Sequence, residues 1–225
     1  MSDEMLVQRV RLFIFEHFRE SGVPPVVEKV MARFTLSRDG ATQAFRDLEA
    51  AHHIALVPGT ARILMAFPFS AIATPFRTTV GDRTYFANCA WDAIAFRAML
   101  KQDIRVDSFC HHCAAPVTVA IHGGTIDVEP EEALVYLALP PTQWWTDIVT
   151  TCSNTMVFFA SPEHRDASDL CASPTSAASL TPKQIDTLSE PIYPRKFALD
   201  YARPSREELL EHFASMGLTG EYWQL

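Results

Sequence analysis

Apolar positions recur with a helical period at the start of the chain. In "MLVQRVRLFIFEHFRE", residues 5–20, Val10, Phe13, Ile14 and Phe18 fall on one face, which predicts an amphipathic helix. "SGVPP" interrupts it, with Pro24 and Pro25 suited to a turn and a helix start. "VVEKVMARF" predicts a second short helix, and Ser37 is placed to cap a third over "RDGATQAFRDLEAAHH". "IALVPGTARILMAF" then reads as two short strands around Pro58-Gly59. Three helices followed by a hairpin is the pattern of a winged helix.

From Pro68 the texture changes. "IRVDSF", "PVTVAIHGG", "TIDVEP" and "EALVYLALP" are short strand candidates separated by turn residues. No helix of useful length lies between them, so the sheet should be mostly antiparallel. Residues 88–100 predict a helix ahead of this sheet. Residues 161–192, rich in Ser, Pro, Ala and Asp, predict loop with short helices. "SREELLEHFASMG" predicts a final helix, with Ser205 as cap, Glu208 as its capping-box partner and Gly217 as the stop. The expected fold is α+β: a winged-helix-like helical module over residues 1–67, then a mostly antiparallel β-sheet domain with flanking helices over residues 68–225.

Composition and charge narrow the function. The chain has 225 residues, 48% apolar and 20% charged, which is globular rather than disordered. A net charge of -8 makes a poor general binder of nucleic acid or of an anionic membrane. The winged-helix pattern nonetheless raises DNA binding. Through Ala66, however, eight Lys/Arg are matched by eight Asp/Glu, and the candidate recognition helix sets Arg46 against Asp47 and Glu49. A groove-reading helix needs a basic footprint, so a helical module packed on the second domain is the alternative. No apolar run approaches the ~20 residues of a membrane span. The N-terminus lacks the basic start and unbroken apolar core of a signal peptide. A cytoplasmic location with reduced thiols is therefore expected. Cys89, Cys110, Cys113, Cys152 and Cys171 then read as free thiols, metal ligands or catalysts rather than a disulfide framework. No glycine-rich phosphate loop, HExxH or G-x-S-x-G is present.

Three stretches could carry chemistry. "YFANCAWDAIAF" places Cys89 and Asp92 three apart among large apolar side chains. If Asn88 caps the helix, Cys89 lies in the first turn, where the helix N-terminus favours a thiolate, and Asp92 faces it one turn along. One member of such a pair should hold a proton, and apolar surroundings raise the carboxyl pKa further. That suits a proton donor beside a soft nucleophile; a buried structural cysteine and a capping aspartate is the bland alternative. In "WWTDIVTTCSNTMVFFAS", Cys152 stands at a polar-to-apolar junction, which by itself reads as a core thiol. In "SFCHHCAAP", Cys110-x-x-Cys113 with His111 and His112 could be half of a zinc site, but no second close pair follows, only His122 and Cys171.

Taken in order, "DRTYFANCAWDAIAFRAML", "IRVDSFCHHCAAPVTVAI", "VEPEEALVYLALP" and "CSNTMVFFAS" resemble the organomercurial (alkylmercury) lyase family over roughly residues 76–161. The family carries a Cys-x-x-Asp at a helix start, matched here by Cys89 and Asp92. A Ser-x-Cys segment precedes a Pro-containing strand, and Cys110 matches its cysteine, which looks structural in the family. A second reactive cysteine comes about 60 residues after the first, before a Phe-Phe-Ala-Ser run, and Cys152 matches it. Cys113 departs from the pattern, and the C-terminal segment diverges.

The resemblance implies cleavage of carbon–mercury bonds by protonolysis, with Cys89, Cys152 and Asp92 both catalytic and ligating the mercury product. Mercury(II) is soft and prefers thiolates. It implies no required cofactor, external low-molecular-weight thiols for turnover, and release of Hg(II) to thiols or to a partner such as a mercuric reductase. Trp91, Phe86, Phe96 and Phe158 are candidate pocket walls. The sulfurs of Cys89 and Cys152 should approach within about 4–5 Å, the span of two thiolates on one metal. A soft-metal-binding protein, a metal-responsive regulator, or a lyase-like relative with another substrate are the competing readings.

Overall fold

The structure, a computed structural model, describes residues 3–171 and 177–225. It begins with α1 (Asp3–Ser21), α2 (Val27–Phe34) and α3 (Arg38–Ala50). Ser37 caps α3 by accepting the Gly40 N–H at 3.1 Å. Strands β1 (Ala55–Leu56), β2 (Ile63–Ala66) and β3 (Phe69–Ser70) form an antiparallel sheet in that order. Two strands were expected here; β3 is added where the chain reverses after Ala66.

β4 (Arg77–Val80) and β5 (Arg83–Phe86) follow, a hairpin closed by Gly81 (φ +59°) and Asp82. The sequence reading passed over this pair, although Gly-Asp between two β-prone runs was its signal. Next come α4 (Ala90–Leu100), β6 (Ile104–Phe109), β7 (Pro116–His122) and β8 (Thr125–Glu129). These strands complete a five-stranded sheet of order β5-β4-β6-β7-β8. β9 (Leu134–Leu137) is the centre of a third sheet, β10-β9-β11, with β10 (Met156–Phe159) and β11 (Ala178–Leu180) on its flanks. All the strand pairs are antiparallel. Between β9 and β10 lies α5 (Ile148–Thr150); α6 (Pro162–Asp166), α7 (Pro182–Ser189) and α8 (Arg206–Ser215) complete the chain.

The fold is α+β, as the patterning indicates. The region read as loop with short helices holds α6 and α7, and adds the strand β11. α7 is a full helix with Pro182 in its first turn and a Thr181/Gln184 capping box. The Ser205/Glu208 box on α8 forms as anticipated. Residues 172–176 of that region lie outside the described residues.

α4 sits at the centre. Its residues from Ala90 to Met99 are buried except Arg97, and it packs on β4, β6, β10 and α7. A helix apolar on every side belongs inside a protein, which is why a thiol and a carboxylate stand in so oily a stretch. The core is continuous across the expected boundary after residue 67. Phe69 stacks on Phe18 of α1 at 5.1 Å and meets Phe96 of α4 edge-on at 4.9 Å. Arg11 of α1 is fully buried and donates to the carbonyls of Lys196 (2.6 Å) and Ala198. A buried guanidinium survives only with such partners. They tie the first helix to the segment that follows α7.

Candidate active site

Cys89 is itself the N-cap of α4, in extended conformation (φ -154°, ψ 177°), and its Sγ accepts the Asp92 N–H at 3.3 Å. Asn88, expected as the cap, has another task. Its Nδ2 donates to Asp92 Oδ2 and to the Pro68 carbonyl, each at 3.0 Å. The thiol thus occupies the place of a capping hydroxyl, aimed at the positive end of the helix.

Cys152 arrives from the other side. Asp147 caps α5 through the Thr150 N–H (3.0 Å), and the chain then widens into a π-helical turn, Thr151–Thr155, just before β10. Such turns are rare and recur at functional sites. Here the turn brings Cys152 inward, 4% exposed, beside Cys89 (2%) and Asp92 (2%). One sulfur from each cysteine and a carboxylate oxygen all lie within 4.8 Å of one another. The geometry therefore has the approach expected of two thiols on one metal ion.

The electrostatics keep protons in the cluster. Burial raises the Cys89 thiol well above its usual range, and its hydrogen bond to Cys152 and the charge of Asp92 add to this. That bond lowers Cys152, but burial and Asp92 outweigh it and the net shift is upward. Burial also raises the Asp92 carboxyl, against the hydrogen bonds from Tyr193 and Asn88 and the positive charge of Lys196. Tyr193 donates to Asp92 Oδ1 at 2.6 Å. Its own hydroxyl is held protonated, chiefly by burial and then by the Asp92 charge.

Lys196 is the cation of the site. Its Nζ lies 5.0 Å from the Tyr193 ring centre, 5.4 Å from Phe15 and 5.9 Å from Phe67. Burial lowers it from 10.5 to about 7, with Asp92 opposing. The adjacent cavity holds about 80 Å³ of free space, several times the ~10–15 Å³ one water needs. Cys89, Asp92 and Cys152 line it together with Trp91, Trp144 and Met156. Towards solvent, His52 stacks on Trp145 at 3.9 Å and Arg203 covers the same indole at 4.6 Å.

Trp91 is thus a wall, as expected; Phe86, Phe96 and Phe158 are not. Phe96 stacks on Tyr85 (5.3 Å) and meets Phe69 edge-on, and it does not line the cavity. Phe158 is fully buried against Phe76, and Phe86 belongs to β5 of the large sheet. The sequence reading missed Asn88's bond to Asp92, Tyr193, Lys196 and the His52–Trp145–Arg203 stack. Tyr193 and Lys196 come from "EPIYPRK", whose only signal is a tyrosine between prolines with a lysine just after them. Cys110 and Cys113 lie elsewhere, beside His164, away from this cavity. His122 pairs with Asp127 at 3.0 Å and Cys171 bonds Tyr136, so neither joins them.

With this geometry in hand, the comparisons are direct. The alkylmercury lyase family model matches residues 69–193, more than half of the chain. The chain belongs to the alkylmercury lyase family. An alkylmercury lyase of Bacillus cereus is 32% identical over 92 residues, 40% of this chain and 41% of that protein. One of Staphylococcus epidermidis is 25% identical over 100 residues, 44% of this chain and 45% of its own. The chain therefore aligns with less than half the length of these curated relatives. The crystal structure of the mercury-bound form of MerB2 superposes with a TM-score of 0.66 at 18% identity, over 83% of this chain and 87% of that one. The alkylmercury lyase fold thus extends well beyond the segment of recognisable sequence. Lys196 lies just past the matched residues, and His52 and Arg203 lie outside them.

Proposed function

We propose that the protein is an organomercurial lyase that cleaves carbon–mercury bonds by protonolysis at Cys89, Cys152 and Asp92. The observation that supports it is the convergence of two thiols distant in sequence with a carboxylate, all within 4.8 Å in a buried cavity. A metal trap would need the thiols alone; the carboxyl adds an acid beside the reacting carbon.

The atoms balance without redox chemistry. Asp92 takes the proton of one thiol, the thiolate displaces a small thiolate from R–Hg–SR′, and Asp92 passes that proton to it so that R′SH leaves and the carboxylate is free again. The second thiolate joins mercury and pushes electron density onto carbon. Asp92 delivers the second cysteine's proton to that carbon as the C–Hg bond breaks, and R–H departs. The mercury dithiolate that remains, with Asp92 beside it as a further ligand, exchanges with two external thiols or with a dithiol partner such as a mercuric reductase. Tyr193 and Asn88 hold the carboxylate oriented while the proton is away. The scheme asks for no cofactor and for a reducing, cytoplasmic setting. Among the described residues no helix is long and apolar enough to cross a membrane. In this reading residues 1–67 are a winged-helix-like module docked on the catalytic domain of residues 68–225. It supplies the cavity's His52 and Phe67.

The test is incubation with phenylmercury and excess thiol, with benzene detected in the headspace. Benzene release by the wild type, lost in Asp92→Asn, is the expected result. Mercury bound stoichiometrically with no benzene would establish the soft-metal-binding reading instead.

A further inference from the structure

A second group of metal-ligating side chains lies outside the cavity, and the lyase reading does not use it. Cys110 opens the loop after β6, Cys113 follows in its turn, and His164 comes from α6. Cys110 Sγ lies 3.7 Å and Cys113 Sγ 3.4 Å from His164 Nδ1, and the three atoms fall within 4.8 Å of one another. Zinc–sulfur bonds of ~2.3 Å and zinc–nitrogen bonds of ~2.0–2.1 Å at tetrahedral angles place sulfur and nitrogen about 3.6 Å apart. The observed separations bracket that value.

The surroundings of Cys110 are those of a ligand thiolate. Its sulfur is fully buried yet faces the backbone N–H groups of Ala160, Cys113 and His112. The loop is fixed by the Cys110 N–H to the Ala115 carbonyl (2.8 Å) and the Ala114 N–H to the Cys110 carbonyl (2.9 Å). Cys113 is exposed, so an ion can enter from solvent. The His112 ring lies 5.6 Å from that of His164 between centres.

We propose that Cys110, Cys113 and His164 bind a structural Zn²⁺ ion, separate from the reacting thiols. Binding displaces the two thiol protons to solvent, and His164 coordinates as neutral imidazole through Nδ1. The ion staples the β6–β7 loop to α6. Between them runs β10, whose Phe158 carbonyl accepts the His111 N–H at 2.9 Å. Cys152 sits just ahead of the other end of β10, so the staple fixes the strand that delivers a reacting thiol. This proposal is independent of the lyase reading; its test uses zinc and cobalt alone, with no organomercurial.

The whole chain, purified without chelator and reconstituted with Zn²⁺, should retain about one equivalent after desalting, measured by elemental analysis. Co²⁺ in its place should give thiolate-to-cobalt charge-transfer absorption and the visible bands of a tetrahedral site. Cys113→Ser and His164→Gln change exposed or half-buried groups and should lose the ion and the charge-transfer band. The double variant Cys89→Ser/Cys152→Ser should keep both. Zinc should raise the Tm of the wild type and of that double variant, but not of Cys113→Ser. Zinc lost from Cys89→Ser/Cys152→Ser but kept by Cys113→Ser would overturn the assignment, as would a wild type that holds no zinc or forms a Cys110–Cys113 disulfide instead.

Discussion

Two thiol pairs at opposite ends of one strand show how environment divides labour between identical side chains. Cys89 and Cys152 lie in a dry cavity beside a carboxylate, and burial raises both thiols and the acid. Cys110, buried, and Cys113, exposed, lie beside an imidazole, and backbone N–H groups lower Cys110. On the proposed function the first pair keeps its protons until a soft electrophile takes their place, with an acid beside them to receive them. On the proposed zinc site the second gives up its protons to a cation that stays. An adjoining proton carrier, more than the thiols, separates a site built to react from one built to hold.

The sharpest way to break this contrast is to remove a reacting sulfur. Cys89→Ser or Cys152→Ser should reduce benzene release from phenylmercury to background, because one thiolate cannot supply the second donation to mercury. Serine fits both sites, so circular dichroism and Tm should stay close to wild type; a variant that turned over normally would dissolve the distinction. Asp92→Asn should retain mercury with both thiols and lose ~10²–10⁴ in rate, the usual contribution of a positioned proton donor. Single-turnover measurement separates retained binding from lost protonation.

How much of this contrast the sequence revealed depended on distance along the chain. Cys89 and Asp92 could be paired because i and i+3 share a helix face. The helix itself was legible at 88–100, although the cap was assigned one residue early because a thiol is a rare cap. Cys152 was joined to them only through the family resemblance, since nothing local in "TTCSNT" announces a π-turn. Tyr193, Lys196 and Arg203 were illegible because they sit in a segment of prolines and short turns whose position is set by α7 and by Arg11. His164 was missed for the same reason. A CxxC motif looks incomplete when its third ligand arrives from a helix 51 residues after Cys113.

Lys196 offers a test of medium size, read through stability. Its folded pKa, about 7, lies below its ordinary 10.5. Between those values the unfolded chain binds more protons than the folded one, so stability rises with pH. From pH 7 to 9 the gain should be of order 2 kcal/mol for one lysine. Burial lowers Lys196 while Asp92 opposes, so the slope belongs to the reacting site rather than to the surface pair. Lys196→Met should flatten it, measured as urea midpoints of wild type and variant across that range. Equal slopes in the two proteins would mean that Lys196 is not a desolvated cation in solution.

The smallest effect should come from the surface cluster. Cys113 is exposed and lies at the far end of β10 from Cys152. Sites with no shared partner usually act independently to ~0.3–0.5 kcal/mol, so Cys113→Ser should change benzene release per folded molecule by no more than about twofold. Its effect should appear on heating. Without the staple, α6 and the β6–β7 loop are held by fewer constraints, and β10 loses its brace while Cys152 still depends on it. Activity should therefore decay faster at elevated temperature in Cys113→Ser than in zinc-loaded wild type, and chelator should speed decay in the wild type alone. Should the variant instead lose activity at once at low temperature, the two thiol pairs would be one coupled system, and the division of labour drawn from their surroundings would fail.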